Sequence, residues 1–112
     1  METRVVYVTN YAGHDYLPAQ KFGQLKYLTS GFVDFRKIDR LKFEIAEKLK
    51  ESKPEDYLCL SGSAFVCVIA AMIWLERHGS LNLLNFDKKS DEYEETNINK
   101  RNIEEILNVI HS

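Results

Sequence analysis

Cysteine is scarce in this 112-residue chain, at two residues, as are proline, at two, and tryptophan, at one. Two thiols without metal-ligand spacing exclude a disulfide-stapled scaffold and a cysteine-based zinc site. Cys59 and Cys67 are expected as reduced thiols, one in a buried strand and one in a buried helix. No His/Cys/Asp/Glu grouping has metal-ligand spacing, so neither a metal nor a cofactor is expected.

Long apolar runs are also missing. The longest, Ala64–Leu75, falls well short of the roughly 20 residues needed to cross a bilayer. Arg4-Val5-Val6-Tyr7-Val8 is too short for the apolar core of a secretory leader, so a cytoplasmic protein without membrane partners is expected. There is no G-x-G-x-x-G and no Walker loop, which leaves a dinucleotide fold or a phosphate-splitting NTPase without its signature.

A dominant charge is absent as well, the formal net charge being −2. It is unevenly spread: residues 1–53 carry ten Lys/Arg against seven Asp/Glu, or +3, and residues 54–112 carry five against ten, or −5. The basic excess alternates with Asp39, Glu44, Glu47 and Glu51 at helical spacing, the pattern of a solvated helix face. Asp91-Glu92 and Glu94-Glu95 form an acidic run that reads as an exposed loop and would repel a polyanion. Nucleic acid is therefore not an expected partner.

What is present is an alternation of strands and helices. The clearest unit runs from Tyr57 to Asp87. Tyr57-Leu58-Cys59-Leu60 is a continuous apolar run suited to a strand buried on both faces. Ala64–Leu75 is apolar all round, as in a helix packed on a sheet and covered on its other side. Arg77-His78-Gly79 supplies a helix stop, and Leu81–Phe86 the next strand. Upstream, Arg4–Thr9 predicts strand one. Asp15–Phe22 predicts a short helix with Pro18 in its first turn, and Leu25–Thr29 strand two. Ile38, Leu41, Ile45 and Leu49 form the stripe of a helix over 36–52, ended by Lys53-Pro54. Ile103, Ile106, Leu107 and Ile110 mark an amphipathic C-terminal helix.

These elements predict an α/β fold: a small Rossmann-like three-layer domain with a four-stranded parallel sheet in the order 2-1-3-4. Residues 1–95 would form the domain, and residues 96–112 a helix packing on it or on a partner. In that order the carboxyl ends of strands one and three flank a switch point, where open α/β sheets leave a ligand crevice. Thr9, Asn10, Gly13 and His14 would then face Ser61, Gly62 and Ser63, with Asp87 at the end of strand four extending the rim. Gly62 permits close backbone approach, and the amides of the helix starting at Ala64 favour a phosphate or carboxylate. A simpler account of the same residues is that Gly62 makes the turn and Ser63 caps the helix. His14 and Asp15 are the candidates for acid-base chemistry, alongside plainer roles as a loop residue and a helix cap. Arg36, Lys37 and Arg40 could reach an anion from the second helix. Ser61 and Ser63 lack the flanking pattern of a nucleophile elbow.

The run Val5–Asp15, together with Asp56–Ser63, resembles small proteins of bacteriophages and their hosts, a likeness that spans most of residues 4–87. It implies a phage-type protein and carries no particular activity with it. In topology alone the sheet is similar to nucleotide-second-messenger sensor domains of the CRISPR-associated type. The expectation is binding of a small anionic, nucleotide-like ligand at the crevice, as a sensor, sequestering or accessory protein. The alternatives are an interaction factor engaging a host protein and, third, a nucleotide-processing enzyme. Exposed sheet edges and the amphipathic C-terminal helix suggest a homo-oligomer.

Overall fold

The structure is a computed structural model that describes residues 3–11, 13 and 16–112. It is an α/β fold built on one mixed, five-stranded sheet in the order β2-β1-β3-β4-β5. The strands are β1 (Val5–Val8), β2 (Gln24–Tyr27), β3 (Tyr57–Cys59), β4 (Ser80–Asp87) and β5 (Glu92–Asn99). The helices are α1 (Ile38–Lys48), α2 (Ala64–His78) and α3 (Lys100–His111), with 3-10 helices at Leu17–Phe22 and Phe35–Lys37.

The central strands are the most apolar. Val6, Tyr7 and Val8 of β1 and all of β3 are buried, because parallel strands flanked by crossovers are covered on both faces. β1 pairs in parallel with β2 and β3, and β3 with β4, in the expected order 2-1-3-4. A right-handed crossover fixes which face each connection covers. α1 and α2, leading away from β2 and β3, share one face, where Leu41, Ile45, Leu49, Ile69 and Trp74 pack on Tyr7, Leu58 and Leu83. The connection from β1 to β2 runs the opposite way, so its 3-10 helix lies on the other face, with Tyr16, Ala19 and Phe22 against Val6, Val8, Tyr57 and Cys59.

The expected four-stranded parallel sheet is corrected on one point: a fifth strand closes it, and that strand is antiparallel. β5 contains Glu92, Glu94 and Glu95 of the acidic run expected as a loop, with Asp91 in the turn before it. Its alternation puts Tyr93 inward and leaves Glu92 and Glu94 exposed, and charged side chains on an edge strand discourage pairing with other chains. The hairpin forms because Asp87 organises its turn. Its carboxylate accepts from Lys89 N at 3.0 Å and Ser90 Oγ at 3.2 Å, while its carbonyl accepts from Asp91 N at 2.8 Å. Asp91 takes the left-handed conformation there, φ 58°, which Asp tolerates better than most residues.

Other boundaries shift by a few residues. The second helix is shorter than 36–52: a 3-10 turn capped by Asp34 precedes α1, and the helix ends at Lys48 with Leu49 as its C-cap. Residues 17–22 form a 3-10 helix with Pro18 in the first turn, and the expected Asp15 cap lies outside the described residues. α2 stops where expected, at a left-handed Gly79 whose N–H bonds Leu75 O at 2.8 Å. α3 begins at Lys100, and residues 96–99 complete β5. No described helix is long and apolar enough to cross a membrane.

Candidate functional site

At the carboxyl ends of β1 and β3 the structure brings together Thr9, Asn10, Ser61 and Gly62 and bonds them to one another. Thr9 is fully buried. Its hydroxyl donates to Ser61 O at 2.7 Å and accepts from Ser61 N at 2.7 Å, which stitches the two strand ends together. Asn10 is also buried; its amide donates to Gly31 O at 3.1 Å, and its side-chain oxygen lies 2.9 Å from Thr29 Oγ1. Gly62 is left-handed, φ 80°, and a Cβ there would fall 2.6 Å from Asn10 Nδ2 and 2.7 Å from Asn10 Cβ. The space beside this glycine is therefore filled by Asn10. Tyr16 Oη donates to Asn10 O at 3.2 Å and shares a hydrogen bond with Ser61 Oγ.

Ser63 is the N-cap of α2, accepting from Phe65 N at 3.2 Å, and Asp87 is occupied by the hairpin turn. Gly13 is exposed and left-handed, φ 82°. His14 and Asp15 lie outside the described residues. The convergence of the two strand ends is thus a closed polar latch, with most of its donors and acceptors facing inward.

The open space lies beside the latch. A cleft of about 630 Å3 runs between the start of the first 3-10 helix, at Tyr16 and Pro18, and the β4–β5 hairpin. Cys59, Leu84 and Tyr93 form its floor, Leu60, Ser61 and Gly62 its upper edge, and Asn85, Phe86, Lys88 and Asp91 its outer wall. Its origin is architectural: a six-residue 3-10 helix is too short to cover a five-stranded sheet, so the β4 side of that face stays open. The volume falls within the roughly 300–1,000 Å3 of small-molecule sites.

The cleft is apolar below and charged at the rim. The rings of Phe86 and Tyr93 sit 5.3 Å apart, with Phe86 exposed and Tyr93 buried. Lys88 is exposed and makes no ion pair among the described residues. The Cys59 thiol is pushed up to about 11 by burial, so it stays protonated near neutrality and is a poor nucleophile. Lys88, Phe86 and Tyr93 were not singled out from the sequence. Lys88 had a signal, since it follows the carboxyl end of a strand in an open α/β sheet; Tyr93 was hidden in the acidic run.

Arg36, Lys37 and Arg40 lie elsewhere. Lys37 and Arg40 line a smaller groove of about 370 Å3 with Thr29, Ser30 and Glu44, between the end of β2 and α1. Most of its cations are engaged: Arg40 pairs with Glu44 at 2.9 Å, and Lys48 Nζ donates to Leu28 O at 2.8 Å. Nearby, Arg36 bonds Asp34 at 3.0 Å and holds that carboxyl below its usual range. No group of side chains among the described residues could hold a metal ion.

Compared with known families, residues 4–100 match the phage Pam3 gp32-like proteins. The chain belongs to that family. The match takes in all five strands, α1, α2 and the cleft, and ends at the first residue of α3. No curated protein and no solved structure matches the chain.

Proposed function

We propose that this phage-family domain binds a small anionic ligand of nucleotide type in the cleft between the first 3-10 helix and the β4–β5 hairpin. The observation that carries the reading is the composition of the cleft: an aromatic wall and apolar floor under a rim that holds Lys88 and adjoins the start of α2. A planar base would stack on Phe86, a residue 46% exposed, above Leu84 and Tyr93. Its phosphate would lie toward the exposed ammonium of Lys88 at the rim. Ser61 and Gly62 follow the carboxyl end of β3, and Phe86 and Lys88 stand at the carboxyl end of β4, the edge where open α/β sheets bind ligands.

The latch of Thr9, Asn10, Ser61 and Gly62 holds the upper edge of the cleft rigid. Binding without turnover fits this site better than catalysis. Ser61 Oγ is bonded to Tyr16 and the Cys59 thiol is protonated, so neither is an activated nucleophile. A sensor or sequestering protein is the functional class that follows.

Calorimetric titration with nucleoside monophosphates, cyclic nucleotides and unphosphorylated nucleosides tests this. At least one phosphorylated compound should bind, the matching nucleoside more weakly. Phe86→Ala should weaken binding roughly tenfold or more, the scale of one lost stacking contact. Binding unchanged in both Phe86→Ala and Lys88→Ala would remove the cleft from consideration.

A further inference from the structure

The charge on the wall of the cleft bears on which nucleotides it admits. Among the described residues that line the cleft two are charged, Lys88 and Asp91, and they are of opposite sign. Both belong to the turn between β4 and β5. Neither is engaged within the protein: both are exposed, and neither side chain makes a hydrogen bond or ion pair among the described residues. Asp87, by contrast, has its carboxylate bonded to Lys89 N and Ser90 Oγ, so the fold of the turn does not depend on the Asp91 side chain.

The wider field has the sign of Asp91. Residues 87–95 carry two Lys against five Asp/Glu, a local charge of −3. Side chains alternate along a strand, so Glu95 shares the face of Tyr93, where it accepts from Tyr57 Oη. One ammonium offsets most of the charge of one phosphate monoester, about −1.5 to −2 near neutrality. Each further phosphoryl group adds charge that no second cation among the described lining residues meets, and that Asp91 repels. At about 7 Å through water, the repulsion between a carboxylate and one added unit charge is worth roughly threefold in affinity.

We propose that the cleft selects nucleotides carrying a single phosphate, with Asp91 as the residue that turns di- and triphosphates away. This rests on the reading of the cleft as a nucleotide site and adds the class of nucleotide to it. The phosphate faces Lys88, and a hydroxyl or amino group of the nucleoside gives Asp91 the donor that it lacks within the protein. Asn keeps that acceptor and tolerates the left-handed backbone of this position, φ 58°, so Asp91→Asn removes the charge and little else.

Calorimetric titration of the full chain at low ionic strength tests the proposal. The probes are the 5′-monophosphates, 3′,5′-cyclic monophosphates and 5′-triphosphates of adenosine, guanosine, cytidine and uridine, each with and without Mg2+. A single-phosphate form that binds should do so roughly fivefold or more tightly than the triphosphate of the same nucleoside, and the gap should shrink in about 0.5 M salt. Asp91→Asn should narrow the gap roughly threefold, by tightening the triphosphate more than the single-phosphate form. Triphosphate binding as tight or tighter, with or without Mg2+, would overturn the selectivity while leaving the cleft a nucleotide site. A gap unchanged by Asp91→Asn would do the same to the role of Asp91. No binding by any of these compounds would overturn the nucleotide reading of the cleft and the selectivity together.

Discussion

At the scale of single residues, Gly62 shows how a correct location can carry an unexpected role. Its sequence context marked a strand-to-helix turn where backbone could approach a ligand. In the structure the approaching group is Asn10 of the same chain, packed where a Cβ would stand. Gly62→Ala should therefore cost about 2–3 kcal/mol, from a left-handed backbone and from displacing Asn10. In an Asn10→Gly background, which removes the Cβ as well as the amide, only the backbone part should remain, so urea unfolding of the double-mutant cycle should show clear non-additivity. Equal costs in both backgrounds would contradict the contact. His78 makes a second residue-scale case. Burial, and secondarily Arg77, hold its imidazole below the usual 6.5, and its Nε2 lies 2.8 Å from Ser52 Oγ. Because the folded pKa is the lower one, the unfolded chain takes up a proton first as pH falls through 6.5. Stability should decline from there down to the folded value, then stop depending on this group. Urea midpoints measured across that window should show the decline, and His78→Gln should flatten it.

At the scale of elements, legibility followed the strength of the burial pattern. β1, β3 and α2 were readable because apolar runs and a Gly79 stop are strong local signals. β5 was not, because an edge strand can carry charge at most positions and is held by its hairpin partner and by long-range ties to β3, one of them a side chain far away in sequence. That tie is Tyr57: its hydroxyl accepts from Arg4 at 2.6 Å and donates to Glu95, linking β3 to β5 beside β1. Nothing local in the sequence announces it. Tyr57→Phe should cost roughly 1 kcal/mol. It should also speed hydrogen exchange in β5 more than in β1 or β3, since it releases the outermost strand. Uniform exchange rates across the sheet would argue against Tyr57 as the fastener of β5.

At the scale of the whole molecule, topology was more legible than the site. Crossover handedness and strand order place α1 and α2 on one face and the 3-10 helix on the other, and the order 2-1-3-4 followed from the alternation of elements. The site candidates followed from the same rule, which identifies strand ends but does not say whether the chain fills the space between them. Here Asn10 and Tyr16 fill it, and the open volume moves toward β4, where the covering element is too short. A ligand-binding account therefore rests on a cleft whose wall and cation come from a hairpin that the sequence concealed. Amide-resolved NMR titration with phosphorylated nucleotides tests this most directly. The account predicts shifts concentrated at Ser61, Gly62, Phe86 and Lys88, with Lys37 and Arg40 unmoved. Shifts centred on Thr29, Lys37 and Arg40, or no shifts with any nucleotide, would contradict it.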